Sequence, residues 1–123
     1  MVIARWSLML LRLGAALQVV LGIGFWTGHW ATAIPAHRTI GVVYVLLLWV
    51  LAVTAMIRRS HIGLALFAIV WGLAIAAVGF TQQQILVGSS HWIIRVVHLV
   101  ISLAAMPIAE RLARQAPSAS AVA

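Results

Sequence analysis

Four long apolar segments, at residues 6–28, 36–57, 62–81 and 91–110, constrain this chain more than any other feature. Each is close to the about 20 residues a helix needs to cross a bilayer. Polar or turn-forming stretches separate them: Thr27-Gly28-His29, Arg58-Arg59-Ser60-His61, and Gln82-Gln83-Gln84 through Gly88-Ser89-Ser90. Backbone in lipid satisfies its hydrogen bonds only inside helices or a closed barrel. Barrel strands alternate polar and apolar side chains, whereas Val42 to Ala55 is almost continuously apolar. The reading is an all-α polytopic membrane protein. A single four-transmembrane-helix bundle occupies residues 1–114, and a short polar tail with Pro117 occupies 115–123.

Composition excludes whole classes of function. Hydrophobic residues make up 65% of the chain and charged residues 7%; the basic residues are all arginine, and Glu110 is the one acid. A soluble domain carries about 25% charge, and disordered chains are polar and poor in aliphatics. Neither describes this sequence. The net charge of +7 does not read as a nucleic-acid footprint, because the arginines are scattered between apolar runs rather than gathered in a patch. With no cysteine there is no disulfide frame, no thiolate metal site and no covalent haem attachment.

The arginines set an expected topology. With both termini in the cytoplasm, Arg5, Arg12, Arg58, Arg59, Arg111 and Arg114 fall inside and only Arg38 and Arg95 outside, a positive-inside bias. Trp6 then marks the inner boundary and Trp26, Trp30 and Trp92 the outer one, while Trp49 and Trp71 lie mid-span, packing between helices. The start of the chain, with Arg5, an apolar run and Ala31-Thr32-Ala33, also has the outline of a secretory signal, although its apolar run is long for one.

The histidines carry the functional information. His61 falls inside, whereas His29, His37, His91 and His98 all lie toward the outer side. Ionisable residues within a span are expensive and need a partner or a function. His37 follows Pro35, a residue suited to a first helical turn, and Gly41 one turn later clears bulk from the same face. His91, Arg95, His98 and Ser102 form one helical stripe; so do Gly14, Gln18, Gly22, Phe25 and His29 in the first segment. Gly72, Ala76, Gly79 and Gln83 form a third. Four such stripes imply a shared interior holding a cofactor or buried polar groups, although small stripes also suit plain close packing.

A b-type haem suits these residues. Imidazoles on facing helices of a bundle ligate its iron, and Arg38 and Arg95, each beside a candidate ligand, are placed to pair with its propionates. The metal ligands are read as His37 and His98, with Gln18, Arg38, Gly41, His91 and Arg95 also lining the cofactor. Depth argues for His91 instead. His37 stands about 21 residues before Arg58 and His98 only about 13 before Arg111, a mismatch of about 12 Å at about 1.5 Å per residue. His91 matches His37 better, and a second haem on His29 and His91 is a further possibility.

The run His37-Arg38-Thr39-Ile40-Gly41-Val42-Val43-Tyr44, closing with Arg58-Arg59, resembles the second helix of one half of the haem A synthase family. Arg95-Val96-Val97-His98-Leu99 is similar to the matching fourth helix, and Gln18-Val19-Val20-Leu21-Gly22 to the glutamine-and-glycine helix of such halves. The resemblance runs from about Gln18 to Arg111 and implies a haem-binding four-helix bundle with ligands from its second and fourth helices. It also favours His98 over His91. The family's glutamate one turn before the second-helix histidine is replaced here by Ile34, and its outer cysteine pair is absent, so the resemblance implies the bundle rather than the synthase chemistry.

The function expected is that of a small b-type cytochrome of the bacterial inner membrane, an electron carrier more than an enzyme. It would act alone, as a homo-oligomer, or as the haem-bearing subunit of a larger respiratory or photosynthetic complex, in contact with membrane lipid and not with nucleic acid. The other reading is a cofactor-free structural subunit, in which His29, His37 and His91 are interfacial and His98 is hydrogen-bonded to Ser102 or a backbone carbonyl.

Overall fold

A computed structural model describes residues 2–114 of the chain, all of whose regular structure is helical. The 115–123 tail lies outside the described residues. Helix α1 spans Val2–Trp26, α2 Ile34–Ile57, α3 Ile62–Thr81 and α4 His91–Ala113. Each is long and apolar enough to cross a membrane.

The helix ends follow from local chemistry. α1 stops two residues short of the expected end because its last turn closes as a Schellman motif. The His29 amide donates to the Gly24 carbonyl at 2.8 Å and the Gly28 amide to that of Phe25 at 3.1 Å, with Gly28 in the left-handed conformation at φ 79°. α2 ends in the same way, Ser60 donating to Ala55 at 3.0 Å and Arg59 to Met56 at 2.9 Å. Here Arg59, at φ 53°, takes the position that glycine usually fills. α2 begins earlier than expected, at Ile34, because a short 3-10 turn at Ala31–Ala33 leads directly into it and Pro35 sits in its first turn. α4 runs three residues beyond the expected end and carries Pro107 inside it.

Neighbouring helices pack in chain order, α1 closes against α4, and α2 also touches α4 across the bundle. The packing is uneven along the axis. Ala4, Ser7 and Leu11 of α1, Leu48, Leu51, Ala52 and Ala55 of α2, Ala65 and Ala68 of α3, and Ala105, Ala109 and Leu112 of α4 are buried together. All belong to the half of the bundle that holds the N-terminus. There Arg12 donates to Glu110 at 2.8 Å and ties α1 to α4. Alanines let the backbones approach closely in that half, as small residues do wherever helices associate in lipid.

Mid-bundle, the two central tryptophans bond across helices as well as packing between them. The Trp49 indole lies directly on Gly72, where a side chain would collide with it, and donates to the Ile69 carbonyl of α3 at 3.2 Å. Trp71 donates to the Ile101 carbonyl of α4 at 2.8 Å. Beyond this level the helices separate, and the half holding the α1–α2 and α3–α4 connections is hollow.

Candidate functional site

The hollow is a cavity of about 430 Å³, within the about 300–1,000 Å³ typical of small-molecule and cofactor clefts. The polar and small stripes of all four helices meet in its wall: Gln18, Gly22 and Phe25 from α1, His37, Gly41 and Tyr44 from α2, Ala76 and Gly79 from α3, and Arg95, His98 and Ser102 from α4. Arg38, His29 and His91 also line it. Every residue expected at the site from the sequence therefore reaches one wall.

His37 and His98 face one another with ring centroids 6.5 Å apart and planes at 61°. The depth mismatch expected between them does not keep them apart. Arg58 and Arg111 are poor level marks, since α2 stops before Arg58 while α4 continues past Arg111 to Ala113. Counted from the helix starts at Ile34 and His91, the offset is about four residues, or about 6 Å. That rise is no larger than the separation of the two rings. His91 is turned to other work: its Nδ1 lies 3.3 Å from the Ile85 carbonyl in the α3–α4 connection. His29 Nδ1 is likewise 3.1 Å from the Thr27 hydroxyl.

Close contacts fix the surroundings of the pair. The edge of Phe25 meets His37 at 5.2 Å between centroids. Gln18 Nε2 donates to the His37 carbonyl at 3.0 Å, and a β-carbon on Gly41 would stand 2.8 Å from that amide nitrogen. Gly41 thus makes room for the glutamine, and it also lines the cavity. On α3, a β-carbon on Gly79 would stand 3.1 Å from His98 Cε1, so the absence of a side chain there lets the imidazole lie against the helix backbone.

Three polar atoms of this cluster are buried without a hydrogen-bond partner among the described residues: Gln18 Oε1, His37 Nδ1 and His98 Nδ1. Such atoms normally cost about 1–3 kcal/mol each, and each calls for an explanation. Their presence departs from the cofactor-free expectation that Ser102 or a carbonyl satisfies His98. The Ser102 carbonyl is instead taken by the Tyr44 hydroxyl at 2.8 Å. Among the described residues no three His, Cys, Asp or Glu side chains gather as a metal-binding group, so His37 and His98 form a pair while His29 and His91 stand apart from it.

Sequence reasoning missed Tyr44 as part of the cavity wall, and the bond that Trp71 makes to α4 outside that wall. Tyr44 had a signal, since it follows His37 and Gly41 on one helical face at the i, i+4, i+7 spacing. No known protein family, curated protein or solved structure matches this chain. The site is accordingly read from its own residues.

Proposed function

We propose that this chain is a four-span membrane protein that holds haem b between His37 and His98 and serves in one-electron transfer. The observation that carries the reading is the facing imidazole pair on the cavity wall. Two imidazoles that share one metal through nitrogen bonds of about 2.0–2.1 Å would have to stand close together. The observed separation is 6.5 Å. Two histidines brought together on the cavity wall suit a metal held between them, and so does a cavity with apolar walls and two arginines among its lining residues.

When bound, the haem supplies an Fe(III)/Fe(II) couple; the chain does the rest. His37 and His98 would hold the haem iron, and the chemistry the group would supply there is electron transfer. Arg38 and Arg95 supply donors for carboxylates, and guanidinium–carboxylate pairs are the strong kind. Phe25 and Phe80 add apolar wall, which limits water and so tunes the potential through burial. Gln18 anchors the α2 backbone at His37 itself.

The test is a reduced-minus-oxidised difference spectrum of protein purified in mild detergent. A b-type α band at close to one haem per chain is expected. A colourless protein that co-purifies with a stoichiometric complex points to the structural-subunit reading instead.

The proposed topology places both termini in the cytoplasm and the cavity toward the outer side. The cysteine-free sequence makes this simple to measure. With a membrane-impermeant maleimide on intact cells, Ser89→Cys in the α3–α4 connection should label and Ser60→Cys in the α2–α3 turn should not. The reverse pattern would invert the molecule and place the cavity on the cytoplasmic side.

A further inference from the structure

His98 has no hydrogen bond of its own to hold its ring: Nδ1 is buried without a partner among the described residues. Its pose therefore depends on where the α4 backbone carries it. That backbone has a weak joint nearby. Pro107 lies inside α4, and a proline removes the helical bond to the carbonyl four residues earlier, here Leu103, and favours a bend. The segment bearing His98 is thus joined to the well-packed lower half of α4 by an incomplete turn.

Two side chains from other helices grip α4 between that joint and the histidine. Tyr44 of α2 donates to the Ser102 carbonyl at 2.8 Å, and Trp71 of α3 donates to the Ile101 carbonyl at 2.8 Å. Residues 101 and 102 lie three and four positions after His98, on the turn that follows it along the same face. Two consecutive carbonyls, approached from two helices, fix both the rotation of α4 and its height. Tyr44 is also on the helix that bears His37, two turns along from it. The Tyr44 bond therefore links the backbones of the two histidines directly.

We propose that Tyr44 and Trp71 are positioning residues that set where His98 stands opposite His37, by pinning α4 one turn beyond the imidazole. The purpose of the device rests on the haem reading; its existence does not, and the test separates them. Trp49 provides the control. It makes the same kind of bond, indole to carbonyl, but from α2 to Ile69 of α3, with no contact to α4's carbonyls.

Tyr44→Phe, Trp71→Phe and Trp49→Phe each delete one bond. In the haem-loaded protein, Tyr44→Phe and Trp71→Phe are expected to shift the low-spin ferric EPR signal, which reports the relative orientation of axial imidazoles. Haem release should also be about three- to tenfold faster, the equivalent of one ordinary hydrogen bond. Trp49→Phe is expected to lower thermal stability by a similar amount with the EPR signal unmoved. In the haem-free protein, with ¹³C-labelled histidine, the His98 Cε1–H resonance should broaden or split in Tyr44→Phe and Trp71→Phe and stay single in Trp49→Phe. His61 should not respond in any variant. If His98 is unaltered in both clamp variants, or responds equally in the control, the proposal is overturned. A wild type that never binds haem sinks the haem reading, while the haem-free resonances still decide whether the clamp exists.

Discussion

His98→Ala should yield a folded protein with no α band at all. Its Nδ1 makes no hydrogen bond among the described residues, so its removal there leaves no polar group newly unpaired; it widens a cavity that is already open. The buried residues that hold the bundle together lie mainly in its N-terminal half. If His98 holds the haem, its loss should lower haem content by more than an order of magnitude, as in His37→Ala. His61→Ala, in the turn at the opposite end of the bundle, should leave the spectrum unchanged, and so should His91→Ala. Full loss in His91→Ala with a retained band in His98→Ala would reassign the second ligand and void the geometric argument made from the facing rings. Haem-to-protein ratio and the difference spectrum decide the matter together.

The second large effect is expected without touching any ligand. Gly79→Leu should empty the site while leaving the haem-free protein folded, with a stability close to the parent's. A β-carbon at this position already stands 3.1 Å from His98 Cε1, and the three further carbons of leucine extend into the cavity. The opposing term is helix propensity: glycine is about 0.8–1.0 kcal/mol less favourable than alanine in a helix interior, with leucine close to alanine. For folding, that gain is opposed by the displacement of His98 that the 3.1 Å contact demands, so the two offset; for haem binding the sign is strongly unfavourable. A drop in haem content of tenfold or more with an unchanged melting temperature of the haem-free form is the expected pair of results. Gly63→Leu serves as the comparison. Nothing lies within 4 Å of a β-carbon there, so haem content should be unaffected. Normal haem loading in Gly79→Leu would mean that the cofactor does not use this cavity.

Much of this molecule was legible in local pattern. The four helices were readable because their apolar runs and the turns between them are properties of short stretches of chain. The stripes holding Gln18, His37, Gly41, Gly79, Arg95 and His98 were readable for the same reason, helical periodicity. The end of α2 at Ile57 and both ends of α3 were readable too, whereas α1 starts and stops earlier, α2 starts earlier and α4 runs on to Ala113. The choice between His91 and His98 was not legible. Arginine positions served as depth marks, and the structure places them off level with one another.

What this sequence determined by itself is an all-helical chain with four segments long and apolar enough to span a bilayer, and one polar or small face on each. Composition and period 3.6 suffice for that, since both act within a helix. Only the tertiary structure decided which histidines meet, which half of the bundle is packed and which is hollow, and that Gln18, Tyr44 and Trp71 donate to the backbones of neighbouring helices. Those outcomes depend on the relative rotation and height of whole helices. They are set by non-local contacts such as the Trp49 indole seated on Gly72, which no stretch of sequence contains alone.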